Sequence, residues 1–479
     1  MRSKYFLIPV FVLFGMLIFG TSCKKDKLLT SGGNLTFSTD TLTFDTVFTA
    51  QGSFTLQVKI FNPQDQKVNI SSIRLQNGAS SYFHLNIDGF AGNSRENIEI
   101  AAKDSMYVFA TVNIDPTDAN TPFVIEDKLI ATLNGTDYSL PMVAYGQNAH
   151  YITDSVLSSA APIQWLTDKP YVIIHSALVD SSTTLVIPPK CRIYMHADSR
   201  LYVQGTLLAQ GTKTDSIIFQ GDRLDRDYFG GDLPGEWGGL YFDISSHNSK
   251  MDWVVMKNCG SSVGNGLPAA LWVSGDGSST NQLTMTHTII ENSIGYGLLC
   301  FNANVKAENS LVHSTGTQAL ALFQGGTYSI TNCDFINYYP ININHTDNPT
   351  GAIFNYYDTS NTGYLQGNLN AVLTNCLIYG TIDDELVTAK KGSGAFNLQF
   401  INCDIKSTQN PDALDASTVF TNCLFGQDPQ FVDYTKWNFR VKAGSPLIDA
   451  GAPVSIGNDL DDQPRVNGSA IDIGCYEFY

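Results

Sequence analysis

The sequence predicts an all-β protein in which a two-sheet sandwich is followed by a right-handed parallel β-helix. Up to about residue 146, apolar and polar residues alternate along short segments, as in strands with one buried face. After residue 150, a motif of asparagine followed by cysteine or serine recurs at intervals that fit the coils of a solenoid. Forty glycines and an aromatic content of 11% suit strands joined by many tight turns.

Composition and charge exclude several classes of protein. The chain has 479 residues, enough for two or three domains at ~150 residues each. Lysine and arginine total 28 against 45 acidic residues, which gives a net charge of -17. We therefore expect no nucleic-acid partner, because phosphate backbones are bound by basic surfaces. The charged fraction of only 15% also argues against a disordered chain.

The N-terminus carries the pattern of a secretory signal. Basic residues at positions 2 and 4 precede an apolar run over residues 5–20, which is shorter than the ~20 residues of a spanning helix. Thr21-Ser22-Cys23 then resembles the lipobox of bacterial lipoproteins, although Gly20 stands where leucine is more usual. The resemblance implies a signal peptide over 1–22, a lipidated Cys23, a tether over 23–34 and attachment to the outer membrane, on either face. An uncleaved anchor, or ordinary secretion with an incidental cysteine, is the alternative.

Residues 35–148 are predicted to form the sandwich. Phe54, Leu56, Val58 and Ile60 alternate with polar residues, and turn dipeptides separate about seven such runs. Seven short strands in ~110 residues are typical of an immunoglobulin-like domain. The segments 61–63 and 144–147 are similar to immunoglobulin-like domains of the abnormal-spindle and hydin type, which implies a spacer or an adhesion module.

Residues 149–430 are predicted to form the β-helix. Asparagine tolerates the left-handed backbone of sharp turns, and stacked amides can bond between coils. The small residue that follows suits the crowded interior, so we expect buried free thiols; a metal site and disulfides are the alternatives. The predicted ladder comprises Asn258-Cys259, Asn332-Cys333, Asn375-Cys376, Asn402-Cys403 and Asn422-Cys423, with the degenerate copies Asn292-Ser293 and Asn309-Ser310.

Two further segments resemble known β-helix proteins. Residues 235–242 are similar to the opening coils of bacterial right-handed β-helix repeat proteins, where Trp237 is either a packed aromatic or a platform for a sugar ring. Residues 431–479 resemble the C-terminal region of the choice-of-anchor Q proteins, with departures at Gln463 and Cys475. In those proteins an anchor segment usually follows, and here the N-terminal lipid would serve instead.

Acidic residues gather around one cation in this C-terminal segment. They are predicted either to form a calcium site or a catalytic carboxylate pair, or to form a cap that protects the open end of the solenoid, with Arg465 bridging the carboxylates. The cap is the preferred interpretation, and no cofactor is expected. The acidic residues are Asp449, Asp459, Asp461, Asp472 and Glu477.

Candidate functional residues lie between positions 338 and 391. A uronate lyase needs several cations in its groove, and between positions 228 and 439 Lys390-Lys391 is the sole cationic cluster. A glycosidase needs two carboxylates, and Asp383-Asp384-Glu385 offers three, although an acidic turn is usually just solvated. Tyrosine rings suit the apolar face of a neutral glycan. The candidates for this role are Tyr356, Tyr357 and Tyr364.

The sequence therefore favours a lipid-anchored envelope protein that acts as a non-catalytic scaffold or binding module. The expected partners are the membrane, through the lipid, and a polysaccharide or a surface protein. A polysaccharide hydrolase or lyase of the β-helix type is the alternative function. The third hypothesis is a purely structural protein that contacts other proteins through the sandwich.

Overall fold

The structure is a computed structural model that describes residues 27–49, 51–115, 122–226, 230–261, 266–338, 345, 348–359, 363–410 and 412–479. The predicted signal peptide and Cys23 lie outside the described residues. The chain divides into two compact units, Met1–Asn148 and Ala149–Tyr479. The prediction of an all-β protein with long parallel sheets is confirmed.

The first unit consists of two five-stranded sheets. One has the order β1-β3-β8-β5-β6 and is antiparallel; the other has the order β2-β10-β9-β4-β7, with β2 parallel to β10. The strands are β1 Thr36–Phe37, β2 Leu42–Phe48, β3 Leu56–Phe61, β4 Val68–Leu75, β5 Phe83–Ile87, β6 Phe90–Ala91, β7 Ser94–Ile100, β8 Ser105–Val112, β9 Phe123–Leu133 and β10 Thr136–Gln147.

Both sheets of the first unit contribute to one apolar core. Val58 and Val108 from one sheet and Ile70, Ala131 and Met142 from the other are all fully buried. Their polar neighbours along each strand face outward, as the period of two predicts. This is the two-sheet sandwich expected from the sequence; its assignment to the immunoglobulin-like class stays a prediction.

The second unit is a solenoid of short strands. They are β11 His150–Leu157, β12 Ile163–Gln164, β13 Tyr171–Val179, β14 Thr184–Ile187, β15 Arg192–Val203, β16 Thr206–Gln210, β17 Ile217–Gly221, β18 Gly239–Phe242, β19 Ser249–Asp252, β20 Val254–Lys257, β21 Ala269–Ser274, β22 Leu283–Thr286, β23 Ile289–Ser293, β24 Tyr296–Phe301, β25 Asn304–Glu308, β26 Leu311–Thr315, β27 Leu320–Phe323, β28 Gly326–Thr331, β29 Asp334–Asn337, β30 Gly351–Phe354, β31 Tyr356–Thr359, β32 Gly363–Gln366, β33 Leu369–Thr374, β34 Leu377–Gly380, β35 Leu386–Ala389, β36 Phe396–Ile401, β37 Asp404–Ile405, β38 Val419–Thr421, β39 Leu424–Phe425, β40 Phe431–Asp433 and β41 Asn438–Val441.

Three parallel sheets line the solenoid, and each coil gives one strand to each sheet except the last two, which have no strand in sheet 3. Sheet 1 is β12-β14-β16-β19-β22-β25-β28-β33-β36-β38. Sheet 2 is β17-β20-β23-β26-β29-β34-β37-β39, and sheet 3 is β18-β21-β24-β27-β30-β35. The long strands β11, β13 and β15 bend, so that their first halves extend sheet 2 and their second halves extend sheet 3. Inward side chains such as Leu207, Phe219 and Phe242 are fully buried in one continuous core.

The asparagine repeats occupy two different corners of the solenoid. All seven asparagines have a left-handed backbone, with φ between 46° and 61°. Five of them follow sheet 1 strands on five consecutive coils, whereas Asn258 and Asn292 lie between sheets 2 and 3. On the two preceding coils, Trp253 and His287 take the corner between sheets 1 and 2, also with positive φ, and their rings stack 4.4 Å apart.

The wide interval between Asn332 and Asn375 is a single coil with two insertions. Thr331 pairs with Thr374, so the two asparagines are on adjacent coils. One insertion separates β29 from β30, and the other contains the β31–β32 hairpin. The cysteines of the repeat point into the core: the first four are fully buried and Cys423, on the last coil, is half-buried.

The C-terminal segment, residues 428–479, lies along the flank of the solenoid. It covers outward residues of sheet 2, including Leu311, Ile336 and Leu377. Its reach extends back to Lys213, whose Nζ donates to the carbonyl of Leu460 at 2.8 Å. The interpretation of this segment as a cap on the open end is therefore wrong, because the segment runs across successive coils. Inward residues of the last coil, Phe420 and Phe425, are only half-buried.

In the described residues, the helical segments with complete bounds are two single 3-10 turns, Gly78–Ser80 and Tyr434–Lys436. Accordingly, the described part of the chain contains no helix whose length and apolar character would allow it to cross a membrane.

Candidate functional site

The three predicted carboxylates lie in three different environments. Glu385 is fully buried and accepts hydrogen bonds from the backbone and hydroxyl of Thr350 and from the backbone of Ile382, at 2.8–2.9 Å. His345, also buried, lies 3.2 Å from the same carboxylate. Glu385 therefore ties the insertion after β29 to the coil and is closed to a substrate.

The neighbours of Glu385 do not form a catalytic pair with it. Asp384 is half-buried and accepts hydrogen bonds from Ser407 and Thr408, which lower its pKa against the effect of burial. Asp383 and Lys390 are exposed. Lys391 forms an ion pair with Asp358 at 2.7 Å. This arrangement is that of a hydrogen-bonded turn.

The predicted tyrosines lie on the β31–β32 hairpin and are partly occupied by protein contacts. The ammonium of Lys391 lies 4.1 Å from the centre of the Tyr356 ring. Tyr357 packs edge-on against Phe301 at 4.9 Å. Tyr364 is 44% exposed and is the most accessible of the three.

Trp237 is a core residue, so the interpretation as a sugar platform is wrong. Its ring is fully buried, and its Nε1 donates to the carbonyl of Lys257 at 2.8 Å. The glycines that follow it serve coil packing: Gly239 has a φ of 93°, and a Cβ there would lie 2.2 Å from the carbonyl oxygen of Ala269.

The outer surface of sheet 3 carries a continuous stripe of aromatic rings. Successive ring centres are 5.2–5.8 Å apart over six coils. Five of the rings are partly exposed, and Phe323 is buried beneath its neighbours. Tyr357 of the hairpin packs against the stripe at Phe301 and Phe323. The stripe consists of Tyr202, Tyr241, Trp272, Phe301, Phe323 and Phe354.

The register of sheet 3 produces this stripe. Tyr202 pairs with Tyr241, and Tyr241 pairs with Trp272, on three consecutive coils. The stripe then moves two positions along the strand, so that Phe301 pairs with Phe323. Residues two positions apart face the same side of a strand, so all six rings face outward.

At the end of the stripe formed by Tyr202 and Tyr241, these two rings line a groove of about 310 Å³. Asp243 lines it and accepts hydrogen bonds from the side chain of Gln204 at 3.1 Å and from the backbone of Ile244 at 2.8 Å. Asp154 also lines the groove and lies 2.9 Å from His175 Nδ1. Aromatic faces edged by carboxylate and amide groups can bind a ligand that has both apolar faces and hydroxyls.

A buried cation lies beside the same tyrosines. Arg200 is 4% exposed, and its Nε donates to the carbonyl of Gly238 at 2.9 Å. Burial lowers its pKa, while Tyr202 and Tyr241 act in the opposite direction. Among the described residues, no carboxylate lies within ion-pair distance of Arg200. Its Nη2 donates to the carbonyl of Ser261 at 3.4 Å, so the guanidinium is held by backbone carbonyls and lies outside the groove lining.

Sequence reasoning overlooked this site although a signal for it exists. Tyr202, Tyr241 and Trp272 are each flanked by two apolar residues. When both neighbours face a core, the middle residue of a strand faces out. An exposed aromatic at that position is therefore readable from the sequence, but the alignment of the three needs the register.

The described residues contain no group of three or more side chains that is suited to hold a metal ion. The carboxylates around Arg465 are instead engaged within the protein. Asp459 accepts backbone hydrogen bonds from Asp461 and Gln463, and Glu477 forms a buried ion pair with Arg465 at 3.1 Å.

Comparison with known proteins gives no family. No family model and no curated protein matches the chain. Among solved structures, a family 123 glycoside hydrolase from Clostridium perfringens, studied for glycolipid glycan hydrolysis, is 9% identical over 25% of this chain, with a TM-score of 0.17. This chain spans only 30% of that structure. The catalytic domain of a GH87 α-1,3-glucanase in complex with tetrasaccharides is 11% identical over 81% of this chain and 90% of that one, with a TM-score of 0.21. Likenesses of this size carry no argument about function.

Proposed function

We propose that the protein binds a neutral polysaccharide along the aromatic stripe of sheet 3 and does not cleave it. The observation that supports this proposal is the spacing of six outward rings at 5.2–5.8 Å along the solenoid axis. A row of rings on a rigid sheet offers repeated apolar faces to an extended chain. The groove at Tyr202 and Tyr241 adds polar groups that fix its orientation.

Charge supports a neutral ligand. Asp154 and Asp243 line the groove, and the whole chain carries a net charge of -17. A polyanionic glycan would be repelled at this surface. The hydroxyls of a neutral glycan can instead donate to the two carboxylates and accept from Gln204.

Binding and cleavage can be tested together on the chain from Lys24 onward. The protein is incubated with a panel of neutral and acidic polysaccharides, and retention, reducing ends and unsaturated products are followed. We expect retention on a neutral glycan and no product. Product from any glycan would contradict the proposal, as would retention on acidic glycans alone.

Substitution locates the binding surface. Tyr202→Leu and Tyr241→Leu keep apolar bulk but remove the flat ring, and each is expected to weaken retention about tenfold, in line with ~1–1.5 kcal/mol for an aromatic contact. Tyr145→Leu, in the first unit, is the control because Tyr145 is a strand tyrosine outside the stripe that is 41% exposed. Unchanged retention in both sheet 3 variants would contradict the proposal that the glycan binds at Tyr202 and Tyr241.

We also propose that Cys23 is lipidated and anchors the protein to the outer membrane. The support is the sequence pattern of residues 1–23. A fatty-acid label is expected to be incorporated into the full-length protein and to be lost in Cys23→Ala. Equal labelling of the two proteins would contradict this proposal.

A further inference from the structure

A second cavity lies between the outer surface of sheet 2 and the β40–β41 hairpin. Its volume is about 750 Å³. It is on a different sheet from the aromatic stripe and shares no residue with it. Its lining includes three tyrosines, two lysines and the polar side chains of Thr381 and Asp428.

The tyrosines form one side of this cavity. The ring of Tyr338 stacks on Tyr434 with centres 4.5 Å apart, and lies 6.1 Å from Tyr379. Tyr434 is 46% exposed, so part of the stack faces the opening. Burial and neighbouring carboxylates raise the pKa of Tyr379 to about 12, which keeps its hydroxyl protonated as a donor at neutral pH.

One polar atom in the wall of this cavity has no hydrogen-bond partner among the described residues. Thr381 Oγ1 is buried in the cavity lining, and no described residue forms a hydrogen bond with it. Buried polar atoms without partners are rare in native proteins and call for an explanation. Because this oxygen has almost no accessible surface, it is an unsatisfied group within the cavity wall and not a contact point for a ligand.

The lining of the cavity carries two lysines and one carboxylate, and the carboxylates of Asp404 and Glu385 act on Tyr379 from outside the lining. Lys406 Nζ donates to the carbonyl of Gly380 at 2.8 Å and lies 5.4 Å from the Tyr379 ring. An ammonium has three donors, so two of them remain available. Lys442 is exposed at the rim, whereas Asp428 is the single carboxylate of the lining. Two cations against one anion suit a ligand with one negative charge.

We infer that this cavity binds a single sugar residue that carries one carboxylate. The tyrosine stack suits the apolar face of the ring, and Lys406 and Lys442 pair with the carboxylate. Such a residue would be a chain end or a side branch, because the cavity holds too few cations for a polyanion. The inference is independent of the proposed neutral-glycan surface.

The test is a titration of the chain from Lys24 onward with glucuronate, followed by ligand-observed NMR, with glucose as the uncharged comparison. We expect glucuronate to bind at least several-fold more tightly than glucose. Lys442→Ala should raise the Kd for glucuronate roughly fivefold. Asp428→Asn should lower it, because the amide keeps the hydrogen bond from the Gln430 backbone and removes the repelling charge.

Lys436→Ala is the matched control, since Lys436 lies between the hairpin strands but pairs with Asp433 at 3.3 Å and is outside the lining. It should leave the Kd unchanged. Equal affinity for glucose and glucuronate, or an equal loss in the two lysine variants, would overturn the inference. Tyr202→Leu separates the two sites: it should weaken retention on neutral polysaccharide and leave glucuronate binding intact.

Discussion

Asn375 shows how one residue holds a corner of the solenoid. Its backbone is left-handed, with φ at 54°. Its Nδ2 donates to Asn332 Oδ1 at 3.2 Å and to the carbonyl of Ala452 at 2.9 Å, and its Oδ1 accepts from the Ala452 backbone at 2.7 Å. Asparagine therefore serves the turn, the neighbouring coil and the C-terminal segment at once.

Replacing Asn375 by alanine should destabilise the solenoid by about 3–5 kcal/mol, because buried partners lose hydrogen bonds and alanine is strained in this backbone region. Asn422→Ala is the control: Asn422 has a φ of 51° but is exposed on the last coil. Asn422→Ala should lower the free energy of unfolding by only about 1 kcal/mol. Urea unfolding followed by tryptophan fluorescence measures both, since all five tryptophans lie in the second unit. Equal costs for the two variants would contradict the assigned role of the buried bonds.

At the scale of strands, local patterns predict the coils but not their alignment. Asparagine at a left-handed turn is a local property, so the repeat indicates a solenoid. The same conformation serves two corners, however, and only strand pairing shows that Asn258 and Asn292 belong to a different corner from Asn332. The aromatic stripe was not predicted for the same reason: Tyr241 and Trp272 are far apart in sequence and meet through register.

The contacts of the C-terminal segment could not be predicted from local sequence patterns either, because they join residues far apart in the chain. Ala452 meets Asn375 across 77 residues. Arg465 pairs with one of its predicted acidic neighbours, Glu477, in a buried ion pair. Its hydrogen bond to Asn309 at 3.0 Å, on the ladder, carries no sequence signal.

Two carboxylates on the sheet 2 surface beneath this segment should make the stability of the protein depend on pH. Burial raises the pKa of Asp334 to about 6 and that of Asp404 to about 7. No described group makes a well-aligned hydrogen bond to the Asp404 carboxylate, although the Gln427 backbone is close enough to lower its pKa slightly. Both side chains face outward on sheet 2, in register with Leu377.

Because these native pKa values exceed those of an unfolded chain, the folded protein holds the protons more tightly. The free energy of unfolding should thus fall as pH rises from 5 to 8, by on the order of 3 kcal/mol. Asp404→Asn should remove the larger part of this fall and be more stable than the parent at pH 8. Urea unfolding at pH 5, 6.5 and 8 tests this, and a stability that rises over the same range would refute it.

For the whole molecule, the net charge of -17 shapes what can bind. A neutral glycan has no charged group that could form an ion pair with the protein. Retention on the sheet 3 stripe should therefore change less than twofold between 50 and 500 mM salt, over which the Debye length falls severalfold. Glucuronate binding at the sheet 2 cavity should weaken over the same range. Strongly salt-dependent retention of the neutral polymer would show that charge, not the ring faces, carries the interaction.

The position of the C-terminal segment also has a consequence for how the protein is made. The ladder amides of Asn309, Asn332, Asn375 and Asn402 donate to carbonyls of residues 450–474. That stretch is synthesised after every coil it touches. Until that stretch is present, these four amides lack the carbonyl partners that it supplies. A product truncated before residue 450 would therefore leave them hydrated, and we expect proteases to cleave it faster than the full chain.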